Sequence, residues 1–86
     1  MSASVSTHDR ASIQEFVLDQ VEAAGAEPGL VALTATLEDL GLDSLDVVEL
    51  SQSVKRQLGI AVGPKDFAGA VTIADAVDVV CLRAGV

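Results

Sequence analysis

An all-α fold, a small four-helix bundle of three longer helices and one short one, is what this 86-residue sequence predicts. Apolar residues recur at three- and four-residue spacing in three separate stretches, which is the stripe of an amphipathic helix. Capping residues and glycines bracket those stretches where helices start and stop. The valine-rich segments also follow helical spacing better than the alternation of a strand. With no internal repeat and no low-complexity tract, residues 9–86 form one domain behind a small, polar, flexible tail over 1–8.

Each element has its own signal. Ile13, Phe16, Val17, Val21 and Ala24 form the first stripe. Its start has two candidates: Thr7 as cap, or Ser12 with Glu15 at capping-box spacing. Its stop is Gly25, ahead of the Glu27-Pro28-Gly29 turn. From Leu30 to Leu42 no single period fits. Leu30, Leu33, Leu37, Leu40 and Leu42 are expected to lie over the bundle with their side chains inserted, around one short helical turn. The second long helix starts at Ser44 behind Asp43 as cap, carries Val47, Leu50, Val54 and Leu58 inward, and ends at Gly59. Ile60–Gly63 connects to a short third helix from Pro64 through Phe67. The last helix opens on Thr72 with Asp75 three residues on. Ile73, Ala76, Val77 and Val80 face the core, and Gly85 ends it.

Composition narrows the function. Lys and Arg number 5 against 13 Asp and Glu, a formal charge of −8, which opposes binding to nucleic acid and to anionic membranes. It suits soluble partners with basic patches. One cysteine, Cys81, excludes an internal disulfide and a cysteine-cluster zinc site, in keeping with a cytoplasmic location. No apolar run approaches the roughly 20 residues that span a bilayer, and MSASVSTHDR lacks the apolar core of a secretory signal. Met1 and the short tail point to a free-standing protein, expected to be a monomer. Phe16 and Phe67 are the only aromatics, so the core must be built from Val, Leu, Ile and Ala.

Ser44 poses the central question. A serine nucleophile needs a base, and the only histidine, His8, lies in the tail, where it reads as solvated. The plain reading is that Ser44 is a helix cap. Against it, Asp43 already holds the better capping position, which leaves the hydroxyl spare. Gly41 thins the chain just before, and a helix's first turn favours a phosphate through free N–H donors and the dipole. Attachment of a phosphodiester is therefore physically comfortable, and both readings stand on position alone.

The run LGLDSLDVVEL resembles the modification motif of acyl carrier proteins, and the order of helices, loop and turns resembles that family over nearly the whole chain. The resemblance implies that Ser44 carries 4′-phosphopantetheine, taken from coenzyme A by a phosphopantetheinyl transferase. It implies that Asp43 helps the transferase hold magnesium. It assigns Leu45 and Val48 to the partner-facing side of the second helix, and Asp46 and Glu49 to the acidic positions that meet basic patches on ketosynthase, acyltransferase and other synthase enzymes. The missing base is then expected, because a carrier is not an enzyme and catalyses nothing on its own serine. The aliphatic interior could open between helices to shelter a tethered chain, a habit in which family members differ.

Several features depart from that pattern or compete with it. Ser51 and Gln52 are polar where the family's outer face is acidic and apolar, and Lys55-Arg56 place positive charge at the helix end, read either as dipole complementarity or as a different partner pattern. Together they lean toward polyketide or related specialised biosynthesis, with primary fatty acid synthesis and aminoacyl carriage as alternatives; the aspartate before Ser44 argues for acyl over peptidyl carriers. Cys81 as acyl acceptor is weaker than Cys81 as a partly buried thiol. Glu38 and Asp39 as a metal or acid/base pair are weaker than a solvated surface. Phe67 is a core anchor that could border the base of the arm. From other classes come a helical interaction domain with Ser44 only a cap, and a serine hydrolase, for which no oxyanion-type element speaks.

Overall fold

Asp9, rather than Thr7 or Ser12, opens the first helix. The computed structural model describes residues 8–86, so Thr7 and nearly all of the expected tail lie outside the described residues. The Asp9 carboxylate accepts from the Ser12 N–H at 2.8 Å, and the Ser12 hydroxyl accepts in return from the Asp9 N–H at 3.2 Å. The Ser12 N–H and hydroxyl together hold the Asp9 carboxyl below its ordinary 3.8. Ser12 thus takes part in a capping box three residues upstream of the one expected. Helix α1 runs Arg10–Ala23 and buries Ile13, Val17 and Val21, with Phe16 half-buried. Ala24, assigned to the stripe, is exposed because the helix has ended and the chain turns at Gly25 with φ +108°. His8 is half-buried, and its Nε2 lies 2.7 Å from the Leu58 carbonyl, so it belongs to the folded edge rather than to a solvated tail.

The segment from 28 to 42 is ordered by its backbone. A 3-10 turn at Pro28–Leu30 supplies the one short turn expected. Leu30 itself is 56% exposed. Leu40 is buried, and Leu33, Leu37 and Leu42 are half-buried against the core. The Leu37 N–H donates to the Val71 carbonyl at 2.9 Å, the Ile73 N–H to Ala35 at 3.0 Å, and the Ala74 N–H to Leu33 at 2.9 Å. An antiparallel bridge pairs Thr36 with Thr72. Alternation and helical period both miss this strap, because backbone groups make it.

Helix α2 spans Ser44–Ser53 and continues without a break as a π-helical stretch, Val54–Leu58, before Gly59 closes it at φ +70°. Leu50 and Val54 are buried, with Val47 and Leu58 half-buried, as the stripe predicts. The widened last turn has no counterpart in the apolar pattern. Ile60 and Val62 are buried in the connector. The expected short third helix is a 3-10 turn, Pro64–Phe67. Four residues close only one tight turn there, with the Gly63 N–H donating to the Asp66 carboxylate at 2.8 Å. The described residues therefore hold three α-helices rather than four.

Helix α3, Ile73–Ala84, begins as the sequence predicts. The Thr72 hydroxyl accepts from the Asp75 N–H at 3.1 Å, while the Asp75 carboxylate accepts from the Thr72 and Val71 N–H groups at 3.0 Å each. Ile73, Ala76, Val77 and Val80 are fully buried, Cys81 nearly so, and Gly85 ends the helix at φ +80°. Helix α3 packs along α1, α1 also meets α2, and Phe67 fills the space beside them as the one buried aromatic. No helix among the described residues is long and apolar enough to cross a membrane.

The bonds from Thr72 and Val71 hold the Asp75 carboxyl below 3.8. A folded value depressed in this way contributes stability above the unfolded value, and that contribution is lost as pH falls through the folded one. Asp75→Asn is accordingly expected to lower the melting temperature at neutral pH and to narrow its gap from the wild type below about pH 4. Circular-dichroism melts across that range check it, and a gap that stays constant with pH would refute the assignment.

Candidate functional site

Ser44 is the first residue of α2 and is exposed. The cap is Asp43: its carboxylate accepts from the Asp46 N–H at 3.1 Å, and the Asp46 carboxylate accepts from the Asp43 N–H at 3.0 Å. Asp43 also accepts the first helical bond, from the Val47 N–H at 3.1 Å. With capping complete, the Ser44 hydroxyl has no hydrogen-bond partner among the described residues.

The comparison with α3 sharpens this. There the first four N–H groups are all satisfied, by Ala35, Leu33 and both oxygens of Thr72 that face the turn. At α2 the N–H groups of Ser44 and Leu45 have no acceptor among the described residues. Two free donors at the positive end of a helix dipole beside a free hydroxyl fit an esterified phosphate. The neighbouring carboxylates of Asp43 and Asp46 are directed into the reciprocal cap.

The approach to Ser44 is set from below. The Leu40 N–H donates to the Thr36 carbonyl at 3.2 Å, Gly41 to Glu38 at 3.0 Å, and Leu42 to Leu37 at 3.0 Å. This tight double turn needs Gly41 at φ +77°, a conformation side chains disfavour. A Cβ there would meet open space, so strain rather than crowding selects glycine. Glu38 and Asp39 are exposed on the outside of the turn.

Along α2, Leu45 is 64% exposed and Glu49 is exposed, while Asp46 and Val48 are half-buried. The expected partner-facing residues therefore share one side of the helix with Ser44 at its head. Ser51 does not belong to that face. It is buried, and its hydroxyl donates to the Val48 carbonyl at 2.7 Å, so only Gln52 interrupts the outer face with a polar group. Lys55 and Arg56 are exposed in the π-helical turn, with no carboxylate within 4.0 Å among the described residues. His8 is bound at the Leu58 end of α2, about 20 Å from Ser44 at 1.5 Å per residue. The fold thus holds the one histidine at the far end of the helix from the one candidate serine. Cys81 is buried in α3.

A groove of about 340 Å³, which no local sequence pattern marks, runs between α1 and α2. Leu37, Leu42, Val47 and Leu50 line it, and Gln20 and Arg56 stand on its rim. Gln20 lies on the polar side of α1, where nothing in the sequence distinguishes it from a solvated residue.

Comparison with known proteins bears on the same segment. Residues 15–80 match the family model described as a phosphopantetheine attachment site. Over 58 residues the chain is 38% identical to an acyl carrier protein of Zymomonas mobilis, a stretch covering 66% of this chain and 74% of that one. No solved structure matches the chain.

Proposed function

This chain belongs to the phosphopantetheine-attachment family of acyl carrier proteins, and from that premise we propose that Ser44 bears the prosthetic group. In this family 4′-phosphopantetheine is attached covalently, and its thiol holds acyl groups as thioesters. The chain acts as a non-catalytic carrier subunit that presents those thioesters to partner synthase enzymes. The observation that carries the assignment is the unpartnered Ser44 hydroxyl at a helix start already capped by Asp43. The base that removes the serine proton comes from the transferase, in keeping with His8 lying at the other end of α2.

Leu45, Val48, Asp46 and Glu49 form the docking side. The apolar pair supplies area, and the acids steer toward basic patches on the transferase, ketosynthase and acyltransferase. Unpaired Lys55 and Arg56 farther along α2, with Gln52 between, support polyketide or related specialised biosynthesis over primary fatty acid synthesis. The test is direct. Incubated with coenzyme A and a broad-specificity phosphopantetheinyl transferase, the wild type gains the mass of one phosphopantetheine; an unchanged intact mass would sink the proposal.

A further inference from the structure

The groove between α1 and α2 has a chemical direction. Its α2 wall begins with Asp46 and Glu49 near Ser44 and ends at Gln52 and Arg56, while α1 adds the Gln20 amide. Along α2, acceptors therefore lie toward Ser44 and donors toward the far end. Arg56 has no carboxylate partner within 4.0 Å among the described residues, although the chain holds 13 acids against 5 bases.

The distances agree with an arm laid along this groove. From Ser44 to Arg56 is twelve residues, roughly 18 Å at the rise of a helix. Helical side chains lean toward the amino terminus, which brings the guanidinium back toward Ser44. A phosphopantetheine arm has about fourteen bonds between serine oxygen and sulfur, and at roughly 1.2 Å each, as in an extended peptide, it spans roughly 17 Å. Its thioester end, laid along α2, meets Gln52 and Arg56.

We infer that this groove receives the tip of the arm, and that Arg56, with Gln20 and Gln52, favours acyl groups bearing a carboxylate or a β-carbonyl oxygen over plain alkyl chains. The inference rests on Ser44 being the attachment point. A guanidinium and two amides supply donors that such oxygens accept, the carboxylate most strongly. An alkyl chain in the same place would strip water from those groups and return no hydrogen bond.

The test loads the full chain with malonyl-, acetoacetyl- or hexanoyl-phosphopantetheine from the matching coenzyme A thioesters, with intact mass recorded first. Nitrogen-15 spectra then follow the side-chain signals of Gln20, Gln52 and Arg56 Nε. The malonyl and acetoacetyl forms are expected to shift all three relative to the unacylated holo protein, and the hexanoyl form to leave them in place. In Arg56→Gln the malonyl-induced shift at Gln52 is expected to be lost. Equal shifts from hexanoyl, silence at all three residues in every loaded form, or a malonyl shift at Gln52 that survives Arg56→Gln would overturn the inference while leaving the carrier assignment intact. Absence of any mass gain would overturn the attachment reading first, and the inference with it.

Discussion

Replacing Ser44 with alanine is expected to abolish phosphopantetheine loading while leaving the melting temperature within about 2 °C of the wild type. The two halves of this result come from different atoms. Loading needs the Oγ, which alanine lacks. Stability does not, because the hydroxyl has no partner among the described residues and Asp43 performs the capping. Alanine is also the better helix former at an exposed position. Asp43→Ala separates the roles from the other side. It removes the acceptor for the Asp46 N–H and is expected to cost about 1 kcal/mol, or roughly 4–8 °C in a domain of this size. Intact mass and thermal melts on both variants decide the matter. If Ser44→Ala proved the more destabilising of the two, Ser44 would be a cap, and a plain helical interaction domain would be the better description.

The largest loss of stability is expected from Ile73→Ala. Ile73 is completely buried where α3 enters the core, and truncating it removes contacts that a tightly packed aliphatic interior cannot replace. Such substitutions cost about 2–5 kcal/mol. A chain of this length has on the order of 4–13 kcal/mol in total, so between about a sixth and the whole of the stability is expected to go. The Ile73 N–H bond to Ala35 survives the change, which keeps the effect a packing effect. Urea unfolding monitored by circular dichroism checks it. A cost under about 1 kcal/mol would mean that the site collapses around the smaller side chain.

Much of the fold was legible because local chemistry and global packing agree at α2 and α3. Asp43 before Ser44, and Thr72 with Asp75, announce those starts, and Gly59 and Gly85 announce the ends. At α1 the same vocabulary misled: Ser12 does join a capping box, but as the third helical residue behind Asp9, since aspartate and serine can each fill either place. The 3-10 geometry of Pro64–Phe67 and the π-helical Val54–Leu58 turn leave no mark on an apolar period. Ser51 shows the limit of reading polarity as exposure. Its hydroxyl satisfies itself on the Val48 carbonyl and so can be buried. At the candidate site, Asp43 as cap and the free position of Ser44 could be read from the sequence. The groove could not, because Gln20 and Arg56 are 36 residues apart and only the packing of α1 against α2 places them on one rim.

The strap between residues 33–37 and 71–74 bears on the order in which the protein is made. Leu37 hangs from the Val71 carbonyl, and Leu42, two residues before Ser44, hangs from Leu37. Ser44 is made before the residues that fix its approach, which follow about thirty positions later, a delay of roughly 2–6 s at typical elongation rates. During that interval the double turn at Leu37–Leu42 lacks its anchor on Val71. The approach to Ser44 is therefore complete only on chains extended past Ala74.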